Sequence, residues 1–241
     1  MVLRLEEKSV VNSHCLYKVK EVADGSVEKH KARFVAHGFS QVEGIDYDET
    51  FALVARHSYI RSILALSTQM GWKIHQMDVN TVFLNGMIEE EVYIEQPEGF
   101  EILYHESHVC RLKRVLYGLK QASHAWYTRI DSYFTGLGFM KSEVDANLYH
   151  IVVEGELLII ILYVDDLILT GDEKLIKSCK EDLAKEFEMK EMGLTHYFLG
   201  IEVWQGDGEF FVCQGRYVRA GMPTRYSGDS IWKVVNPWRL L

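Results

Sequence analysis

The stretch Leu157-Leu-Ile-Ile-Ile-Leu-Tyr-Val-Asp-Asp-Leu-Ile-Leu-Thr170 decides the fold. It reads as two apolar strands with two adjacent acids at their joint. A plain hairpin turn is one reading, since Asp is common in turns. Two-residue hairpins, however, favour Asn-Gly or Asp-Gly, because their central residues need positive φ, and Asp165-Asp166 is a poor steric choice. It also sets two negative charges side by side at the end of a buried strand, where an unpaired charge is costly. A divalent cation removes that cost, and hard cations take carboxylate oxygens. The segment is therefore a candidate metal site.

Upstream, residues 72–79 alternate, with Trp72, Ile74, Gln76 and Asp78 on one face and Lys73, His75, Met77 and Val79 on the other. Asp78 thus closes a second strand. A lone strand-ending acid is commonly a turn residue or a helix cap. Two such places in one chain fit carboxylates that hold two cations about 3.5–4 Å apart for in-line phosphoryl transfer.

The flanking segments read as an α+β chain with an antiparallel sheet. Residues 15–35 form a hairpin turning at Ala23-Asp24-Gly25, with Lys18, Lys20, Lys29, Lys31 and Arg33 crossing it. A helix is expected over 56–70 with Gly71 as its stop, and a short strand over 91–96 closed by Pro97. A second helix follows Leu119, with Trp126, Ile130, Tyr133, Phe134 and Leu137 in one stripe. Strands are expected over 147–153 and 156–164, then a helix over 173–187 capped by Asp172 with Leu175, Cys179, Leu183 and Phe187 inward. Two further strands, 196–204 and 209–213, turn at Gly206-Asp207-Gly208, and residues 220–241 show no period.

Composition narrows the function. The net charge of −9 argues against binding nucleic acid through bulk charge and leaves room only for local basic tracks. The longest apolar run is eight residues, 157–164, against the ~20 of a membrane helix. Four scattered cysteines with no Cys-x-x-Cys pair suit a reducing, intracellular and cytoplasmic setting. His105, His108 and Cys110 have metal-like spacing, but a structural zinc site needs a fourth ligand and none is evident.

Tyr163-Val-Asp-Asp166 resembles the metal-binding box of reverse transcriptases, and Gln76-Met-Asp-Val-Asn-Thr-Val-Phe-Leu-Asn-Gly86 resembles the first catalytic motif of the copia-type retrotransposon enzymes. Further similar boxes keep the family's order: Lys31-Ala-Arg-Phe-Val-Ala-His-Gly38, Gly44-Ile-Asp-Tyr-Asp-Glu-Thr-Phe51, Val92-Tyr-Ile-Glu-Gln-Pro97, Leu116-Tyr-Gly-Leu-Lys-Gln-Ala122 with Trp126, and Tyr197-Phe-Leu-Gly-Ile-Glu202. The resemblance implies a right-hand polymerase: fingers and palm over residues 15–219, an antiparallel palm sheet packed on helices, a lead-in over 1–14, and a missing or truncated thumb beginning in 220–241. It implies that Asp78 and Asp165 bridge two Mg²⁺ ions (Mn²⁺ as a substitute) and that Asp166 is the third acid. Strand parity agrees that Asp165 and Asp166 are not equivalent.

By the same resemblance, Lys31 and Arg33 hold the triphosphate, and Phe83 sits under the sugar and rejects a 2′-hydroxyl. Tyr117 and Gln121 support the nucleotide, and Phe198, Leu199 and Gly200 begin the primer grip. The implied partners are an RNA or DNA template with its primer, deoxynucleoside triphosphates, and the ribonuclease H and integrase segments of a parent polyprotein, with a virus-like particle as a possible setting and no membrane. Ser123 and His124 stand where the family usually has Pro and Arg, Leu53 where it has Pro, Cys15 where it has Trp, and His37 where it has Lys.

The function expected is RNA-directed DNA polymerisation by two-metal nucleotidyl transfer. The alternative is an inactive retrotransposon remnant that binds nucleic acid weakly, through residues 18–33 and 111–129. A small-molecule nucleotidyl transferase or cyclase is disfavoured by the other boxes.

Overall fold

The computed structural model describes residues 1–22, 25–50, 56–105, 107–206 and 209–213, and the backbone of 232–235. In chain order the strands are β1 (Val2–Leu3), β2 (Val10–Val11), β3 (Ser13–Glu21), β4 (Val27–Ala36), β5 (Ile74–Val79), β6 (Tyr93–Ile94), β7 (His108–Arg111) and β8 (Met140–Lys141). They continue as β9 (Leu148–Val153), β10 (Glu156–Tyr163), β11 (Asp166–Gly171), β12 (Met189–Leu194), β13 (Tyr197–Phe198), β14 (Ile201–Gln205), β15 (Glu209–Cys213) and β16 (Trp232–Val235). The helices are α1 (His57–Met70), α2 (Ala122–Gly136) and α3 (Glu173–Glu186). The chain divides into two units, Met1–Leu53 with Thr81–Tyr133 and Val54–Asn80 with Phe134–Leu241.

In the first unit a four-stranded sheet runs in the order β1-β7-β6-β2, and β3 and β4 form a separate hairpin. Val11, Val92, Ile94, Val115, Leu119 and Ala122 make its buried cluster. Two glycines allow one close approach. A Cβ on Gly38 would meet the Gly118 carbonyl oxygen, and a Cβ on Gly118 would meet that of Ala36. Ala36 N–H donates to the Tyr117 carbonyl across this contact, at 2.8 Å.

In the second unit the sheet order is β12-β5-β11-β10-β9-β8, antiparallel throughout. The apolar run is unbroken because both faces of its strands are covered. Ile74, Ile161 and Ile168 pack with Ile60 and Leu64 of α1. Ile160, Leu162, Leu167 and Leu169 point the other way and are fully buried. That second face is the α3 side, as His75 bonds to Glu173 and Lys180 show. The Asp172 carboxylate caps α3, accepting from the N–H groups of Lys174 (2.9 Å) and Leu175 (3.0 Å). A third sheet runs β13-β14-β15-β16.

Several expectations need correction. The strand expected over 91–96 shrinks to β6. Residues 196–204 are two strands, because Leu199 and Gly200 both take positive φ (49° and 81°) and fold β13 back on β14. Leu137 lies outside the buried stripe of α2, and Phe139 is buried in its vicinity instead, against Phe134. On α3 Cys179 and Leu183 are buried as expected, with Phe187 just beyond it, but Ile176 takes the inward place expected of Leu175, which is only half-buried. Strand β12 is not foreshadowed by any pattern in the sequence. Within the stretch expected to be irregular, β16 pairs with β15. The turn residues 23–24 and 207–208 lie outside the described residues.

Among the described residues no helix is long and apolar enough to cross a membrane, and none of the four cysteines forms a disulfide. Burial pushes the Cys179 thiol up to about 12, with Asp182 adding to it. The stability tied to its neutral form is complete below the ordinary thiol pKa and declines from there as pH rises through the folded value. Iodoacetamide at pH 8.5 is expected to label exposed Cys15 at least ~100-fold faster than Cys179 in the folded chain, with the difference lost in denaturant; mass spectrometry of the two peptides reads it.

Candidate functional site

Strand register brings the acids together. Asp166 stands directly opposite Asp78 in the β5–β11 pair, and Asp166 also pairs with Tyr163 across the hairpin. Val164 and Asp165 are therefore the two-residue turn, one position earlier than an Asp-Asp turn. Val164 carries the strain, with φ 53° in a β-branched residue, a backbone state that costs about 1–3 kcal/mol and concentrates at functional sites. The Asp165 carbonyl accepts from the Val79 N–H at 2.7 Å, tying the turn to the end of β5. Strand β5 ends one residue past Asp78, at Val79.

Directly opposite residues of an antiparallel pair share a face. Asp78, Asp166 and Gln76 are therefore on the face whose interior part, at Ile74 and Ile168, packs on α1. Burial pushes the Asp166 carboxyl above the usual carboxylate range; a hydrogen bond from Gln76 Nε2 to its Oδ1 (2.9 Å) opposes this, and the charges of Asp165 and Asp78 add to it. On the far side of β5, Lys190 of β12 stands opposite Asp78. Among the described residues, no three His, Cys, Asp or Glu side chains are gathered closely enough to hold a metal ion. That covers the acids, whose approach is set by the backbone, and also His105, His108 and Cys110. The donor set is nonetheless all carboxylate, the chemistry of a hard cation such as Mg²⁺. The like charge around Asp166 is what such a cation relieves.

The first unit holds the other expected residues. In the β3–β4 pair Lys18 stands opposite Lys31, Lys20 opposite Lys29 and Leu16 opposite Arg33. All five cations thus share one face, while Tyr17, Val19, Ala32 and Phe34 share the other. Like charges directly opposite cost stability, so this face suits a polyanion. The Arg33 guanidinium lies 5.4 Å from the centre of the Tyr117 ring, and Tyr117 meets Phe83 edge-on at 5.0 Å. Arg33, Tyr117 and Phe83 thus form one contact chain. Phe83 is half-buried and also packs on the apolar cluster of its unit.

Gln121 is placed differently. It is buried, its Nε2 donating to the Asp46 carbonyl (3.1 Å) and its Oε1 accepting from Gln41 Nε2 (3.1 Å). The Gln41 Oε1 accepts from the Lys120 N–H, and the Asp46 carboxylate from the Val42 N–H. This network latches the loop 117–121 onto 41–46. Gln41 and Asp46 are not among the site residues expected from sequence; the only signal is that Asp46 lies inside the 44–51 box and Gln41 three positions before it. Of the expected primer-grip residues, Phe198 is buried in the core cluster of its unit, and Leu199 and Gly200 form the β13–β14 turn.

The geometry thus sets two sheet-borne acids on one face, with a third in the strained turn beside them. The family follows from comparison: residues 2–222 match the model of the reverse transcriptase (RNA-dependent DNA polymerase) family, and the chain belongs to it. It is 41% identical over 190 residues to the retrovirus-related Pol polyprotein from transposon TNT 1-94 of Nicotiana tabacum, covering 78% of this chain and 14% of that protein. It is 38% identical over 210 residues to the Pol polyprotein from transposon RE2 of Arabidopsis thaliana, covering 87% and 14%. The transposon Ty1-LR2 Gag-Pol polyprotein of Saccharomyces cerevisiae is 30% identical over 227 residues, covering 90% and 12%. The matched region is thus about one seventh of each plant relative's length.

Proposed function

We propose that this chain is an RNA-directed DNA polymerase domain of a copia-type retrotransposon Pol polyprotein. It would catalyse attack of a primer 3′-hydroxyl on a deoxynucleoside triphosphate, directed by an RNA or DNA template and releasing pyrophosphate. The observation that carries this is the register of Asp78 against Asp166 with Asp165 in the turn between β10 and β11. In this reading Asp78, Asp165 and Asp166 hold two Mg²⁺ ions. Bound there, such ions would supply Lewis-acid chemistry, lowering the pKa of the attacking hydroxyl and offsetting charge on the leaving pyrophosphate. The polymerase domain runs over residues 15–219, the β3–β4 hairpin belonging to the fingers and the six-stranded sheet to the palm.

The chain's own side chains have separate tasks. Lys31 and Arg33 draw the triphosphate, and Tyr117 holds the Arg33 guanidinium by its ring face. Gln121 acts by fixing the loop that carries Tyr117. The Leu199-Gly200 turn opens the hairpin that takes the primer. Primer extension on an RNA template with Mg²⁺ tests the whole: incorporation is expected. Binding of RNA without incorporation would instead mark a nucleic-acid-binding remnant.

Phe83 gives a sharper result. A rigid ring at the sugar excludes a 2′-hydroxyl by contact, and an added hydroxyl is otherwise weakly rejected. Phe83→Val is expected to raise ribonucleotide relative to deoxynucleotide incorporation by about 10–100-fold on one template. If both incorporations fall together, the ring serves only the core it packs on.

A further inference from the structure

We infer that Gln76 is a positioning residue for the acids, its amide reaching diagonally from β5 to the neighbouring β11 to hold Asp166 and orient its carboxylate for a cation. The inference rests on the metal reading above. Gln76 stands opposite Ile168, two positions along β11 from Asp166. Its Nε2 nevertheless donates to Asp166 Oδ1 at 2.9 Å. Diagonal neighbours on one face lie about 7–8 Å apart, within reach of a long side chain.

The chemistry also selects this residue type. A carboxylate oxygen only accepts, so the amide nitrogen must face it. The amide is neutral, so it steadies the carboxylate without repelling a cation, as Lys or Arg would. Glu in its place would add a fourth negative charge to the three acids. With one lone pair of Oδ1 taken by Gln76, the carboxylate is held in one orientation while its other lone pairs remain for a metal. Partners that orient metal ligands in this way typically govern 10–100-fold in metal affinity. Nothing in the reading of residues 72–79 as a strand singles Gln76 out, because its partner is ninety positions away in the chain.

The test titrates the chain with Mn²⁺ alone, following the paramagnetic resonance signal of the free ion. It compares the parent with Gln76→Met, Gln76→Asn, Asp166→Asn and the double variant Gln76→Met/Asp166→Asn, each checked by thermal melting. Gln76→Met keeps the shape and removes the donor; it is expected to weaken Mn²⁺ binding about tenfold or more with the melting temperature unchanged. Gln76→Asn keeps the amide one methylene short and is expected to weaken binding comparably. In the Asp166→Asn background, Gln76→Met is expected to cost nothing further, since its effect passes through Asp166. Parent-like binding by Gln76→Met overturns the inference, as does an equal loss in the Asp166→Asn background. Should Gln76→Met fail to fold, parent-like binding by Gln76→Asn overturns it. If the parent binds no Mn²⁺, or Asp166→Asn leaves binding unchanged, the metal reading itself falls and takes this inference with it; neither outcome involves a Gln76 variant, so the two failures are separable.

Discussion

Asp165→Asn is expected to cut primer extension by about a thousandfold or more while the chain stays folded. The magnitude is that of removing a preorganised charge or ligand from the reacting centre of a phosphoryl transfer. The fold should tolerate the change, because what Asp165 gives the structure is its backbone: the carbonyl that accepts from the Val79 N–H. Asn is nearly isosteric and leaves that bond in place. Asp78→Asn is expected to lose activity equally. Either variant also removes a negative charge near Asp166, whose carboxyl is pushed up first by burial and further by Asp165 and Asp78. The melting temperature without metal is therefore expected to hold or rise. Single-turnover extension on an RNA template and a circular-dichroism melt read the two effects. Parent-like extension by Asp165→Asn would refute the two-metal assignment.

Gly118→Ala is expected to destabilise the chain by about 3 kcal/mol or more, through two causes that add. Gly118 takes φ 92°, where an L side chain is strained, and its new Cβ would run into the Ala36 carbonyl and come within 2.7 Å of Val35 Cγ1. Backbone on one side leaves little room to yield. Gly99→Ala is the control: its φ is 80° but nothing lies within 4 Å of the added Cβ, so only the conformational cost of about 1 kcal/mol applies. Urea unfolding of the two variants separates strain from collision. Equal losses would mean that the 36–118 approach does not constrain the fold. Because the loop 117–121 carries Tyr117, the variant is also expected to weaken nucleotide use in proportion to the loop's displacement.

The parts of the site legible from sequence are those written in local pattern. Eight apolar residues, 157–164, followed by Asp165-Asp166 announce a buried strand and its charged end, since period and burial are set by neighbours along the chain. The Asp172 cap of α3 and the Gly71 stop of α1 are legible for the same reason. The break in the strand expected over 196–204 is not: the aromatic and apolar run Tyr197-Phe-Leu199 suits a continuous strand, and only the positive φ of Leu199 and Gly200 divides it.

What the sequence alone determined is thus the set of acids, their places at strand ends, the basic hairpin and the family resemblance. The tertiary structure decided the pairings. It set Asp166 opposite Asp78, Lys190 opposite Asp78 on the other side, Lys18 opposite Lys31, and Gln76 onto Asp166. It also made a strand of Met189–Leu194, whose mostly exposed residues carry no clear period and which is defined by its ladder with β5. The physical reason is that register is a non-local quantity. A slip of one residue leaves every local propensity unchanged yet turns each side chain to the opposite face. Only the packed sheet, with Ile74 and Ile168 held against α1 and Leu167 and Leu169 buried on the other side, selects the register that lines the acids up.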